Sequence, residues 1–239
     1  GPADRLARQL FGLEPGAPAR TPDIHYRLAW DATRGRMGLS ADPGSDELQW
    51  GSVEQIAALL LERAGYDLAD RCCTGLVFHA AAVRRNGRLL MLPGRSGSGK
   101  STLSAWLGTH GFEWLGDELA FVPTGTTCCQ AFSRPLGLKD PARGILREHL
   151  GGPDLAGRTI SLPGLDYICD PGTADGAALV LQPLGGLLFP AFAPGTAAVA
   201  LTGAAAWAIG AAHAILAVNS HKADQRNREL IDAMKAGKS

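Results

Sequence analysis

The chain has 239 residues, 46% of them hydrophobic and 19% charged, which is enough apolar surface to pack a core and too much for a disordered chain. Lys+Arg and Asp+Glu number 23 each, so the charge balance gives no reason to expect nucleic acid or an anionic membrane as partner. The five cysteines, Cys72-Cys73, Cys128-Cys129 and Cys169, include two vicinal pairs and no C-x-x-C spacing; this argues against a disulfide framework or a zinc site and reads as reduced thiols in a cytoplasmic protein.

Gly1-Pro2 reads as the remnant of a cleaved tag. Residues 3–22 are rich in Pro and Ala, with a short helix over Asp4–Leu13 expected to lie loosely on the surface. Ile24–Trp30 alternates in strand fashion, and Arg36–Ser40 can pair with it across the turn Asp31–Gly35. Ser52 is a good N-cap for a helix through about Leu68, with Val53, Ile56, Leu60 and Ala64 as its apolar face. Thr74–Arg84 and Arg88–Leu92 form strands joined through Arg85-Asn86-Gly87, where Asn-Gly is a strong hairpin signal. A helix from Lys100 ends near His110-Gly111, and Phe112–Val122 is a strand interrupted at Gly116-Asp117-Glu118.

Pro141–Leu150 reads as a short helix, residues 151–175 as loop around a strand at Thr159–Leu162, and Leu184–Phe192 as a buried strand. Ala204–Val218 and Ala223–Ala236 read as helices. Gly176–Ser220 contains no Asp, Glu, Lys or Arg, but its Ala and Gly give little transfer energy and no basic residue anchors its start; a buried helix is expected there, not a membrane span. No repeat or linker divides the chain. The expected organisation is a cap over 1–73 packed on a core over 74–239 that carries the C-terminal helices.

The chemistry concentrates at Gly94-Arg95-Ser96-Gly97-Ser98-Gly99-Lys100-Ser101, a G-x-x-x-x-G-K-S (Walker A) pattern between the apolar run Arg88–Pro93 and a helix that opens Lys100-Ser101-Thr102. Glycines let successive N–H groups converge on one anion, and the helix N-terminus adds partial positive charge. ATP is the expected nucleotide, held by residues 94–102; Lys100 would reach its β- and γ-phosphates and Ser101 would help hold Mg²⁺. From spacing alone, Asp117-Glu118 reads either as an acidic pair of a site or as a surface turn, and His79 either as a site residue or as a core histidine. Arg134 and Lys139 could contact phosphate or substrate. The five tryptophans, Trp30, Trp50, Trp106, Trp114 and Trp207, read as core or subunit contacts, and His25, His110, His149, His213 and His221 as structural.

The stretch Leu76–Val122 resembles the catalytic domain of HPr kinase/phosphorylase and the short HPr-kinase-like proteins of bacterial biosynthetic clusters. The matching features are Leu76-Val77-Phe78-His79, the Asn-Gly turn, the G-x-S-G-x-G-K-S form of the loop and the pair Asp117-Glu118; Arg134–Lys139 and Leu188-Phe189-Pro190 are weaker echoes. Glu118 stands where the family has a second aspartate, and the family's downstream signature is not recognisable. The resemblance implies an α/β fold, a P-loop core whose mixed sheet is flanked by helices, with a small strand-plus-helix cap. It also implies Asp117 as proton acceptor, His79 holding that carboxylate or touching the γ-phosphate, and Ser101 with Glu118 as Mg²⁺ ligands. The expected activity is an ATP-dependent kinase that phosphorylates a hydroxyl, a serine of a peptide or small protein above all. A small-molecule alcohol kinase and a nucleotide-switched binding protein with slow ATP hydrolysis are the alternatives. Related enzymes form oligomers, so a homo-oligomer is compatible with the resemblance.

Overall fold

The computed structural model describes residues 1–11, 24–41, 46–72, 74–140, 142–147, 159–169 and 180–190. The helices expected at 204–218 and 223–236, and all of Gly176–Ser220 except 180–190, lie outside the described residues. The architecture is mixed α/β. Among the described residues no helix is long and apolar enough to cross a membrane.

Helix α1 (Pro2–Phe11) starts earlier than expected, at Pro2, where the Gly1 amine bonds Asp4 Oδ2 at 2.6 Å. It does not lie loosely: Leu6 and Leu10, one turn apart, are buried. Strands β1 (Arg27–Asp31), β2 (Arg36–Ser40) and β3 (Gln49–Gly51) form an antiparallel sheet in that order. Helix α2 (Val53–Arg71) opens on a capping box in which Ser52 Oγ accepts from Gln55 N–H and the Gln55 side chain accepts from Ser52 N–H. Its buried residues Ile56, Leu60 and Leu61 share a core with Leu6, Leu10, Met37 and Leu39. Of the tryptophans, Trp114 packs against the core, while Trp30 and Trp50 are each 37% exposed and Trp106 43%, which leaves them the expected alternative of a subunit contact; Trp207 lies outside the described residues. Trp106 stacks on His110 at 3.8 Å between ring centroids.

Strand β4 (Gly75–Arg85) and strand β5 (Arg88–Pro93) form the expected hairpin. Asn86 and Gly87 take φ of 53° and 71°, the paired left-handed conformation that a two-residue turn requires. Helix α3 (Lys100–Gly108) follows, then β6 (Glu113–Gly116), β7 (Leu119–Pro123) and β8 (Cys128–Ala131). After β9 (Leu136–Lys139), α4 (Ala142–Arg147), β10 (Thr159–Leu162) and β11 (Leu165–Ile168), strand β12 (Gln182–Leu187) returns to the main sheet. There it runs parallel to β5 and antiparallel to β8.

The strand pairings close on themselves through β5, β4, β7, β8, β12 and back to β5, with β6 as an extension along β4. Phe78, Ala80, Ala82, Met91, Leu115, Ala120, Cys129 and Ala131 fill one face of this closed sheet. The other face of β4 is shared between helices: Val77 packs with Ala69 of α2, while Ala81 and Val83 pack with Leu107 of α3. The sheet β10-β11-β9 joins the N-terminal core through Ile160 and Tyr167.

Candidate functional site

His79 occupies the gap between the two helix-covered stretches of β4, and three chain segments meet around it. On one edge of β4, strand β5 ends where Pro93 pairs with Ala80, and the glycine loop departs with Gly94 N–H donating to His79 O at 3.3 Å. On the other edge, β6 and β7 form one line along β4 that breaks at Asp117-Glu118, where Ala80 N–H donates to Glu118 O at 3.1 Å. The break is possible because Gly116 has no side chain: a Cβ there would overlap the Phe132 carbonyl oxygen. Glu118 itself takes φ of 86°, a left-handed conformation that costs a non-glycine residue about 1–3 kcal/mol and is found where a site needs it.

Gly97 and Gly99 take φ of 82° and 94°, and Gly99 caps α3 with no side chain in the way. A Cβ on Gly94 would lie 2.5 Å from Ser98 Oγ. Arg95, Ser96 and Gly97 are exposed, and Thr102 is half-buried in the first turn of α3. Lys100 is buried at 5% exposure and folds back on the loop, donating to Gly94 O at 2.9 Å and Arg95 O at 3.0 Å. Burial lowers its proton affinity, the Asp117 and Glu118 charges oppose that, and Lys139 adds to it; the net direction is down.

The two acids differ in surroundings. Asp117 is 3% exposed, accepts the Ser101 hydroxyl at Oδ2 (2.7 Å) and Glu118 N–H at Oδ1 (3.1 Å), and receives Gly137 N–H at 3.4 Å. Burial, reinforced by Glu118, raises its pKa against the opposing Ser101 bond and the Arg134 and Lys100 charges. Glu118 reaches towards solvent. Burial alone would raise it, but the His79 hydrogen bond and the charges of Arg134, His79 and Lys100 outweigh that and hold it at about 2. His79 Nε2 lies 3.2 Å from Glu118 Oε1, and Arg134 Nη1 3.7 Å from Glu118 Oε2.

Lys100, Ser101, Asp117, Glu118, His79 and Arg134 are therefore brought together, and Lys139 reaches the loop with Nζ 3.4 Å from Ser96 Oγ. One expectation for His79 is corrected: its carboxylate partner is Glu118 and not Asp117, and Glu118 is the residue with the left-handed backbone. Arg134 is a neighbour of the acid and not an outlying surface charge, with Tyr167 beneath its guanidinium at 6.0 Å. Sequence reasoning missed Gly137 and Tyr167. A backbone N–H has no side-chain signature, and Tyr167 comes from a strand that was read as loop. Among the described residues no group of three or more His, Cys, Asp and Glu side chains is placed to hold a metal ion. Compared with known proteins, the chain matches no family model, no curated protein and no solved structure.

Proposed function

We propose that the protein is an ATP-dependent kinase, similar to the HPr kinases, that transfers the γ-phosphoryl group to a hydroxyl, that of a serine in a peptide or small protein. The observation that carries this reading is the bond from Ser101 to a buried Asp117 beside Lys100. It ties the front of a helix and its glycine loop to an acid sixteen residues away. A phosphate cradle and a proton acceptor are the two parts that phosphoryl transfer asks of a protein.

Lys100 lies inside the loop on carbonyl oxygens, a position from which it can turn to phosphate oxygens without crossing solvent. Mg²⁺ keeps most of its waters and needs few protein oxygens, so Ser101 with Glu118, an acid held ionised, suits it without a dedicated cluster. When bound, Mg²⁺ would supply charge neutralisation across the β- and γ-phosphates. Turning Ser101 away from Asp117 would leave Oδ2 with only the long Gly137 N–H contact at 3.4 Å, and so able to take a proton. Burial has already raised the proton affinity of that carboxylate, as a general base near neutral pH requires. His79 and Arg134 fix Glu118 and keep the second negative charge from drifting onto the acceptor's path.

The test is transfer from radiolabelled ATP with Mg²⁺ to a panel of serine peptides and small alcohols. Asp117→Asn should keep ATP binding and lose transfer by about 10²–10⁴-fold, the usual contribution of a positioned base. Transfer at the parent rate by Asp117→Asn would remove Asp117 from the chemistry.

A further inference from the structure

Lys139 is placed by a strand. Along β9 the side chains alternate, and Leu136 and Leu138 are buried with Ala105 of α3 and Leu146. Positions 137 and 139 belong to the opposite face, and two contacts run from these residues to the site. Gly137 N–H reaches Asp117 Oδ2 at 3.4 Å, and Lys139 Nζ donates to Ser96 Oγ at 3.4 Å. The same short strand therefore touches both the acid and the outer rim of the glycine loop, which puts Lys139 on the acid's side of the loop.

The charge on Lys139 is unspent. It is exposed, its polar contact is a neutral hydroxyl at long range, and among the described residues no carboxylate forms an ion pair with it. Its field bears on Lys100, against which it is a like charge. Two cations facing one anion cradle are unfavourable until an anion lies between them, and Lys100 alone serves the buried part of the loop.

Resting on the kinase reading above, we propose that Lys139 is a catalytic cation that leaves Ser96 to contact the outermost phosphoryl group of a bound nucleoside triphosphate, and so makes the site distinguish triphosphate from diphosphate. A transferable phosphoryl group must face the proton-accepting acid, and Lys139 is the cation that shares a strand with that acid's backbone donor.

Calorimetric titration of the full chain with Mg²⁺-ATP and Mg²⁺-ADP separates the possibilities. Lys139→Met should weaken ATP by about 10- to 100-fold, the loss of one charge-assisted contact, and ADP by less than about threefold. Lys139→Arg should restore most of the preference, and Lys100→Ala should weaken both nucleotides. Equal weakening of ATP and ADP by Lys139→Met, or no change in either, overturns the inference alone. A parent protein that binds neither nucleotide overturns the kinase reading and the inference with it. Lys139 is exposed, so its replacement removes no core packing, and an unchanged melting temperature of Lys139→Met checks that the fold is intact.

Discussion

Glu118 bears two constraints at once, a left-handed backbone and a carboxylate gripped from both oxygens. Its folded-state pKa of about 2, against an ordinary 4.5, means that its pairing stabilises the fold above pH 4.5 and that this is lost as pH falls through about 2. Asp117 titrates in the opposite sense, since its raised pKa favours the folded state when protonated. The comparison therefore belongs in an Asp117→Asn background. There, urea midpoints should drop across the window from 4.5 to about 2, and adding Glu118→Gln should flatten that drop. Parallel profiles would exclude the pairing with His79 and Arg134. In the otherwise native chain, Ser101→Ala and Glu118→Gln should each raise the Mg²⁺ concentration needed for half-maximal transfer; an unchanged requirement removes them as ligands. At this scale Lys100 and Ser101 stand out in the sequence because a loop motif fixes residue types at fixed spacing, whereas spacing alone leaves Asp117-Glu118 open between a site pair and a surface turn. Which of the two adjacent acids His79 meets is not readable, because neighbours in sequence carry the same charge and only the folded backbone separates them.

Element by element, legibility followed local chemistry. The Asn86-Gly87 hairpin and the Ser52 cap could be read because each is decided within four residues, by left-handed φ angles in one case and by reciprocal side-chain bonds in the other. Strands β3, β8, β9 and β11 are three or four residues long and exist only through their partners, so their sequences carry no period of their own. Helix α1 was assigned to the surface because its Pro- and Ala-rich flank concealed the Leu6–Leu10 pair. Ser52→Ala should lower unfolding free energy by about 1 kcal/mol with little effect on nucleotide binding, read from urea denaturation. Gly116→Ala belongs to the same scale: the added methyl meets the Phe132 carbonyl, which should cost about 1–3 kcal/mol or more and disturb the strand break that presents both acids. A Gly116→Ala protein of parent stability and parent transfer rate would show that the break does not need the close approach.

Among the described residues the two largest buried clusters lie inside the closed sheet and among the N-terminal elements with β10 and β11. Met91 is 1% exposed at the centre of the first, and Met91→Ala should cost about 2–5 kcal/mol by cavity formation, seen as a lowered melting temperature. Neither core was legible as such. The sequence pattern assigned residues to faces, but ring closure pairs β12 with two strands that precede it by at least roughly fifty residues.

That closure makes β12 a keystone that arrives late. At roughly 5–20 residues per second, ribosomes would leave β5 and β8 with bare hydrogen-bonding rims for several seconds before Gln182 emerges. Such rims recruit neighbouring chains. A nascent polypeptide halted ahead of β12 should therefore clump, and light scattering should register larger particles from it than from the finished chain.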